Sequence, residues 1–459
     1  MQENTTPGVK TLLGDPRRAI VKLSVPMIIG MLVQTFYNLV DGIWVAGLGS
    51  DALAAIGLFF PFFMVIISLA TGIGIGGSSV LARKIGAKDR KGASNTAIHT
   101  ILIGFLIGTV LTAVSLPFLK EIFSFIGAKG DVVKLSIDYA RVLFGGAFVV
   151  FFTNIAGGIL RGEGDTKRAM YAMILGSILN IILDPIFIYT MKMGVLGAAW
   201  ATLLSMITSS ILVGYWILVK RDTYVDIAFK NFKPSKDIIK KILRVGIPSS
   251  LAQLSMAAAL FFLNVVIVKT AGGEGVAVFT SAWRIVMFGV VPLLGIATGT
   301  VAVVAAAYGA KDIEKLETGY LYAVKLGILI EMGVMVLIII FAPQITHLFT
   351  YSEGSAQISG ELTNALRKLT FFLPTVPFGM ITSSMFQGIG HGEKSLVVTI
   401  LRTIIMQVLF AYFFALIFDL GLNGVWLGIV LGNVIAAGIT FSWGRITVKQ
   451  LKNKFQKNS

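Results

Sequence analysis

The sequence contains no cysteine and only three histidines. Disulfides and thiolate metal sites are therefore excluded, and cysteine usage says nothing about redox compartment. Charge is also scarce. Asp, Glu, Lys and Arg make up 14% of 459 residues against 56% hydrophobic, and mean hydropathy is +0.85. A soluble domain of this length needs more charge to cover its surface, so the chain reads as an integral membrane protein. No Gly-x-x-x-x-Gly-Lys phosphate loop is present, which argues against coupling to ATP. Residues 1–15 are polar and lack an apolar core with a cleavage site, so no removable signal peptide is expected.

What is abundant is apolar sequence in lengths near the ~20 residues that cross a bilayer. About twelve spans are expected, near 20–46, 53–80, 95–117, 136–160, 169–190, 194–219, 240–268, 276–307, 318–343, 363–388, 395–418 and 423–445. The net charge of +16 could suggest nucleic acid, but the basic residues sit between spans. One side collects Arg83, Lys84, Lys88, Arg90 and Lys91, then Arg161, Lys167 and Arg168, then Lys220, Lys230 and Lys236, and the C-terminal lysines. The alternate loops carry Asp51, Lys192, Glu274, Glu353 and Asp419, with Lys120, Lys129 and Lys134 as a modest exception. This positive-inside pattern places both termini in the cytoplasm of a multi-pass plasma-membrane protein and removes nucleic acid as a partner.

An internal repeat organises the spans. GAKD at Gly86–Asp89 recurs at Gly309–Asp312, an offset of 223 residues. Pro26 and Pro248 are offset by 222, RGEGD from Arg161 faces QGIGH from Gln387, and GVLGAAW from Gly194 faces GLNGVW from Gly421. Two six-helix repeats of the same orientation follow, giving an N-terminal lobe at 1–219, a cytoplasmic linker at 220–239 and a C-terminal lobe at 240–459. The lobes are not equivalent. Asn180 and Asp184 face Met406 and Phe410, and Asp41 faces Leu263, so the polar chemistry belongs to the N-lobe.

Asp41 sits well inside an apolar run, where a charge costs roughly 2.5–3.5 kcal/mol on insertion scales and so marks function. Met27, Met31, Gln34, Asn38 and Asp41 share one helical stripe, with Tyr37 and Trp44 beside it. In the fifth span Met173, Ser177, Asn180 and Asp184 recur at helical steps, and Pro185 should free a carbonyl there. At 1.5 Å per residue, Asp41, Asp184 and Thr202 lie at about one depth, with Asn180 a turn deeper, Tyr139 within reach and Asn154 too deep. Two carboxylates in such a site cannot both ionise cheaply, so one holds a proton or a cation sits between them. Oxygen-only ligands suit a hard alkali ion, leaving a proton site, a sodium site, or both in competition. Gln34, Tyr37, Asn38, Met173 and Ser177 would then line the substrate path, the methionines as an adaptable wall.

PMIIGMLVQTFYNLVDGIWVAGLGSDALAAIGL from Pro26 resembles the opening helix of the multidrug and toxic compound extrusion (MATE) transporters. LRGEGDTKRAM from Leu160 resembles the family's loop after the fourth helix, and NIILDP from Asn180 its fifth helix. The resemblance covers nearly the whole chain. Acids in the first lobe alone are similar to the prokaryotic DinF branch, with an archaeal member the reading that goes with it. The loop departs from the common pattern at Ala169, where a proline is usual. The resemblance implies a V-shaped pair of bundles that exports cationic or amphipathic drugs. It makes Asp41, Asn180, Asp184 and Thr202 the cation-coupling residues, able to hold Na+ and with no other cofactor.

The expected function is therefore a secondary antiporter, a monomer, exchanging organic compounds against protons or sodium, and not an enzyme. An intramembrane aspartyl protease is disfavoured because Gly162-Glu163-Gly164-Asp165 falls in a loop flanked by basic residues. A lipid-linked saccharide flippase of related architecture would want a basic cavity, whereas the inward stripe reads as acidic and neutral. Among other intramembrane charges, Arg402 lies near enough to the cytoplasmic end to snorkel, and Glu331 with Arg284 reads as a structural ion pair in preference to a second-lobe relay. Pro26 should act as a hinge and, with Pro248, kink the leading helix of each lobe.

Overall fold

The structure is a computed structural model. It describes residues 5–127, 129–228, 232–350 and 357–457. Lys230 and Glu353, counted among the loop charges above, lie outside the described residues.

Every element among the described residues is helical. Ten helices are long and apolar enough to cross a bilayer, and a pair bent by 46° supplies an eleventh crossing. Lys236–Gly309, one of the ten, supplies two crossings in place of one, because its path leaves helical geometry at Ala271 and Gly272. Twelve crossings result. In the first half they are α1 (Pro16–Ala46), α2 (Ser50–Gly86), α3 (Arg90–Phe125), α4 (the bent pair Asp131–Gly145 and Ala147–Gly162), α5 (Thr166–Thr190) and α6 (Gly194–Lys220). In the second they are α7 (236–271), α8 (272–309), α9 (Ile313–Phe349), α10 (Ser359–Ile389), α11 (Gly392–Ile417) and α12 (Gly421–Gln456).

The repeat is written in the backbone as well as in the residues. Left-handed φ occurs at Gly49 and Gly272, Lys88 and Lys311, Gly164 and Gly390, Lys192 and Asp419, and Gly194 and Gly421. These pairs are offset by 223 to 227 residues, so each lobe turns at the same places. Asp89, Asp165 and Asp312 each cap a helix start, accepting from the backbone N–H three residues on. The Gly-x-Gly-Asp segment is thus a turn between α4 and α5.

The lobes meet crosswise, α2 against α7 and α8 against α1. Glycines make the approach close. A methyl at Gly76 would lie 2.9 Å from the Gly246 nitrogen, and one at Gly299 would lie 2.9 Å from Ser24 Oγ. Ser79 donates to the Gln387 carbonyl oxygen at 2.6 Å, joining the lobes again at the basic-loop end. Gly42, Gly57 and Gly273, toward the other end, have nothing within 4 Å of an added methyl. The lobes are packed together on the basic-loop side.

Neither Pro26 nor Pro248 interrupts its helix; the only non-helical residues of Lys236–Gly309 are Ala271 and Gly272. A proline still removes one backbone hydrogen bond, so each remains a weak point.

Candidate functional site

The first site is built where α1, α5 and α6 come together. The ends of α1 and α5 away from the basic loops are clipped by Tyr189, whose hydroxyl donates to the Trp44 carbonyl and whose ring meets Trp44 edge-on at 6.2 Å. Pro185 ends the regular helix of α5, and the π-helical turn Ile186–Thr190 follows. That clip sets Asp41, one turn before Trp44, opposite Asp184. The two carboxyl groups lie within hydrogen-bond reach of one another. Asp184 is fully buried and Asn180 is 2% exposed. Oriented to satisfy both neighbours, the Asn180 amide donates to Asp184 at 3.1 Å and accepts from the Thr202 backbone N–H at 3.2 Å. Tyr37 and Tyr139 stand close to both acids, Tyr139 also edge-on to Phe59 at 5.4 Å.

The arrangement brings Asp41, Asn180, Asp184, Thr202 and Tyr139 into one cluster from four helices. It is oxygen-rich and free of basic side chains. Such a group can share a proton between two carboxyls or surround a small hard cation.

Inward of the cluster lies a cavity of about 440 Å³ between the lobes. Met31, Gln34 and Tyr37 on α1 and Met173, Ser177 and Asn180 on α5 line it. Asn38 does not; it is exposed and outside the lining. Asn154, which depth had set aside, lines the same cavity and accepts from Thr71 at 3.2 Å.

Three charged residues differ from their expected roles. Arg402 does not snorkel: it is 6% exposed and lines the cavity, as does Arg161. The inward surface is therefore not only acidic and neutral. Glu331 is fully buried with both carboxylate oxygens unpartnered among the described residues, and Arg284 is exposed, so they form no ion pair. An exposed Arg284 side chain points away from the interior where Glu331 is enclosed.

Glu163 was visible only as part of a loop motif. It is 1% exposed and accepts from the backbone N–H groups of Tyr224 at 3.0 Å and Val225 at 3.3 Å. Burial, with the nearby Asp165 charge adding to it, pushes this carboxyl up to about 8 against those hydrogen bonds. Its partners lie 61 and 62 residues away, in the segment between the lobes, so no local pattern reveals them.

Twelve crossings in two same-sense repeats, with a buried acid cluster behind the wall of a cavity between them, define a membrane transporter rather than an enzyme. A family model, MatE, matches residues 26–186 and 248–413, the two halves in register with the repeat. The chain belongs to the MatE family. It is 26% identical over 395 residues to the multidrug export protein MepA of Staphylococcus aureus, covering 86% of each chain. A solved outward-facing multidrug resistance MATE transporter of the MOP superfamily is 59% identical with a TM-score of 0.96, covering 98% of this chain and 99% of that one. A MATE structure in the bent conformation is 58% identical with a TM-score of 0.93, covering 98% and 100%.

Proposed function

We propose that the protein is a secondary multidrug exporter that antiports cationic or amphipathic organic compounds against protons, sodium, or both. The observation that carries this is the contact of Asp41 with Asp184, supported by Asn180 and Thr202. With both acids ionised the pair repels, and a proton or Na+ relieves the repulsion. Asp41, Asn180, Asp184 and Thr202 would hold that ion, with Tyr139 beside them. The ion is the coupling substrate, entering from outside, and the organic compound leaves by the same face. The basic loops then lie in the cytoplasm with both termini, and a single chain of two lobes (1–219 and 240–459, joined by 220–239) is the working unit. The names of similar exporters support this direction.

The test is dye efflux from proteoliposomes under imposed proton or sodium gradients. Asp41→Asn and Asp184→Asn should each reduce driven efflux at least tenfold while the protein still inserts and runs as a single folded species. Gradient-driven efflux at wild-type rates in both variants would rule out the N-lobe coupling site.

A further inference from the structure

Ahead of the first crossing, the short helix Pro7–Leu13 lies on the basic-loop side and touches both lobes. Thr6 caps it, its hydroxyl accepting from the Val9 backbone N–H at 3.4 Å, and Pro7 suits the first helical position. Val9 and Leu12, three residues apart on one face, are 1% and 4% exposed, whereas Lys10 faces solvent. A helix of 7 residues is not stable alone in water, so this one is held in place by the burial of those two side chains.

On one side the helix is locked to the turn between α4 and α5. A methyl at Gly8 would lie 2.8 Å from the Gly164 carbonyl carbon and 2.9 Å from the Asp165 nitrogen. A methyl at Gly164 would in return lie 2.9 Å from the Gly8 carbonyl carbon. The two backbones are in direct contact, which requires glycine at both places. On the other side, the Leu13 carbonyl accepts from Lys315 Nζ at 3.1 Å, at the start of α9 in the opposite lobe. Pro16 follows beside Val303 of α8, both within 3.5 Å of a methyl placed at Gly319.

The repeat gives a reason for a bridge at this place. Gly390, the counterpart of Gly164, is met by the Arg83 guanidinium, which reaches it from the other lobe. With the GAKD offset of 223 residues, Arg83 corresponds to Ala306, whose methyl cannot reach the Gly164 turn in the same way. The contact that one arginine makes with the C-lobe turn is made with the N-lobe turn by this helix.

We propose that Pro7–Leu13 is a strap that holds the basic-loop side shut and parts from the Gly164 turn when that side opens. The first turns of α1 pack on α8, where Gly299 faces Ser24, so the strap, joined to them through Gly14, stays with the C-lobe. Gly8, Val9 and Leu12 then set how readily the cavity reaches the basic-loop side. The inference rests on the two-sided opening that an antiporter needs, not on which ion drives it.

The experiment is distance measurement between spin labels on the purified full chain in nanodiscs, with no ion gradient, so a failure of ion coupling does not affect it. Labels at Lys91 and Glu314 report the separation of the lobes on the basic-loop side. Gly8→Leu and Val9→Asp should each raise the population of the longer distance at least fivefold, and Lys10→Ala should leave it unchanged. A second measurement keeps the strap intact and loosens the same side at a different contact, with Gly86→Ala. There a label at Lys10 should move away from one at Lys167, exposed beside the Gly164 turn, and keep its distance to Glu314. Wild-type distance populations in both strap variants overturn the proposal. So does a Lys10 label that stays with Lys167 while Lys91 and Glu314 separate.

Discussion

Gly86 and Gly309 occupy equivalent places in the two repeats and meet reciprocally across the lobe interface. A methyl on Gly86 would collide with the Ala306 carbonyl, and a methyl on Gly309 with the Arg83 carbonyl, each partner lying three residues before the other glycine. The GAKD turns therefore repeat for a packing reason: only glycine lets α2 and α8 approach this closely. The contact closes the basic-loop side in this conformation. Alanine at either position should cost about 1–3 kcal/mol of closure, the usual scale for overpacking. Because the chain has no cysteine, spin labels can be placed cleanly at Lys91 and Glu314, both exposed beside the turns. Both variants should lengthen that distance by similar amounts, whereas Gly42→Ala, with open space around it, should not. An effect of only one glycine would refute the reciprocal contact.

The cavity wall should govern which compounds are exported. Gln34, Tyr37, Met173 and Ser177 face the cavity, whereas Asn38 does not. Alanine at the first four should change the resistance spectrum drug by drug, and Asn38→Ala should leave it nearly unchanged. A uniform loss across all compounds at the four positions would show that they only hold the helices together.

Much of this was legible from residue spacing. The twelve spans, the repeat and the stripes from Met27 to Asp41 and from Met173 to Asp184 follow from apolar length and helical period, which are local properties. The arginines were not. Distance along α11 suggested that Arg402 reaches the headgroups, but its direction is set by another helix, where Gly379 leaves room for its stem. Glu331 and Arg284 lie at compatible depths, yet rotation about each helix axis, which depth does not fix, separates them. Glu163 shows the same limit, since a segment folding back from beyond α6 makes its burial.

That glutamate gives a pH dependence with a definite sign. The Glu163 carboxyl is pushed from its ordinary 4.5 to about 8, first by burial and then by Asp165. Between those values the folded site holds a proton that the opened site releases, so closure is favoured at low pH and weakens as pH rises through about 8. Hydrogen exchange at the Tyr224 and Val225 amides should therefore quicken between about pH 4.5 and 8 beyond the intrinsic base-catalysed increase, and follow the intrinsic increase alone above that window. Glu163→Gln, which keeps an acceptor without the charge, should lose that extra dependence. Identical pH profiles for wild type and variant would dismiss the effect.

The last prediction concerns α1. Pro26 leaves one hydrogen bond unmade in a helix that is continuous from Pro16 to Ala46, and Asp41 lies fifteen residues beyond it, about four turns. One end of this lever is tied through Trp44 to Tyr189 and through Asp41 to Asp184, and the other is packed on α8. A proton or Na+ between the acids should change how strongly the part of α1 beyond Pro26 holds α5. The helix should then bend at Pro26, narrowing the cavity and expelling its contents. An ion moves that equilibrium only by binding one bend better than the other, and a tenfold difference in affinity is worth about 1.4 kcal/mol. Protons and sodium should act on the same cluster and compete. Labels at exposed positions on α1 and α5, such as Ile43 and Ile182, should change separation on titration with either ion. Saturating one ion should blunt the response to the other. Asp41→Asn should abolish both responses, and Pro26→Ala should reduce the distance change without abolishing ion binding. If neither titration moves the wild-type labels, or if Asp41→Asn responds like wild type, α1 is not the switch.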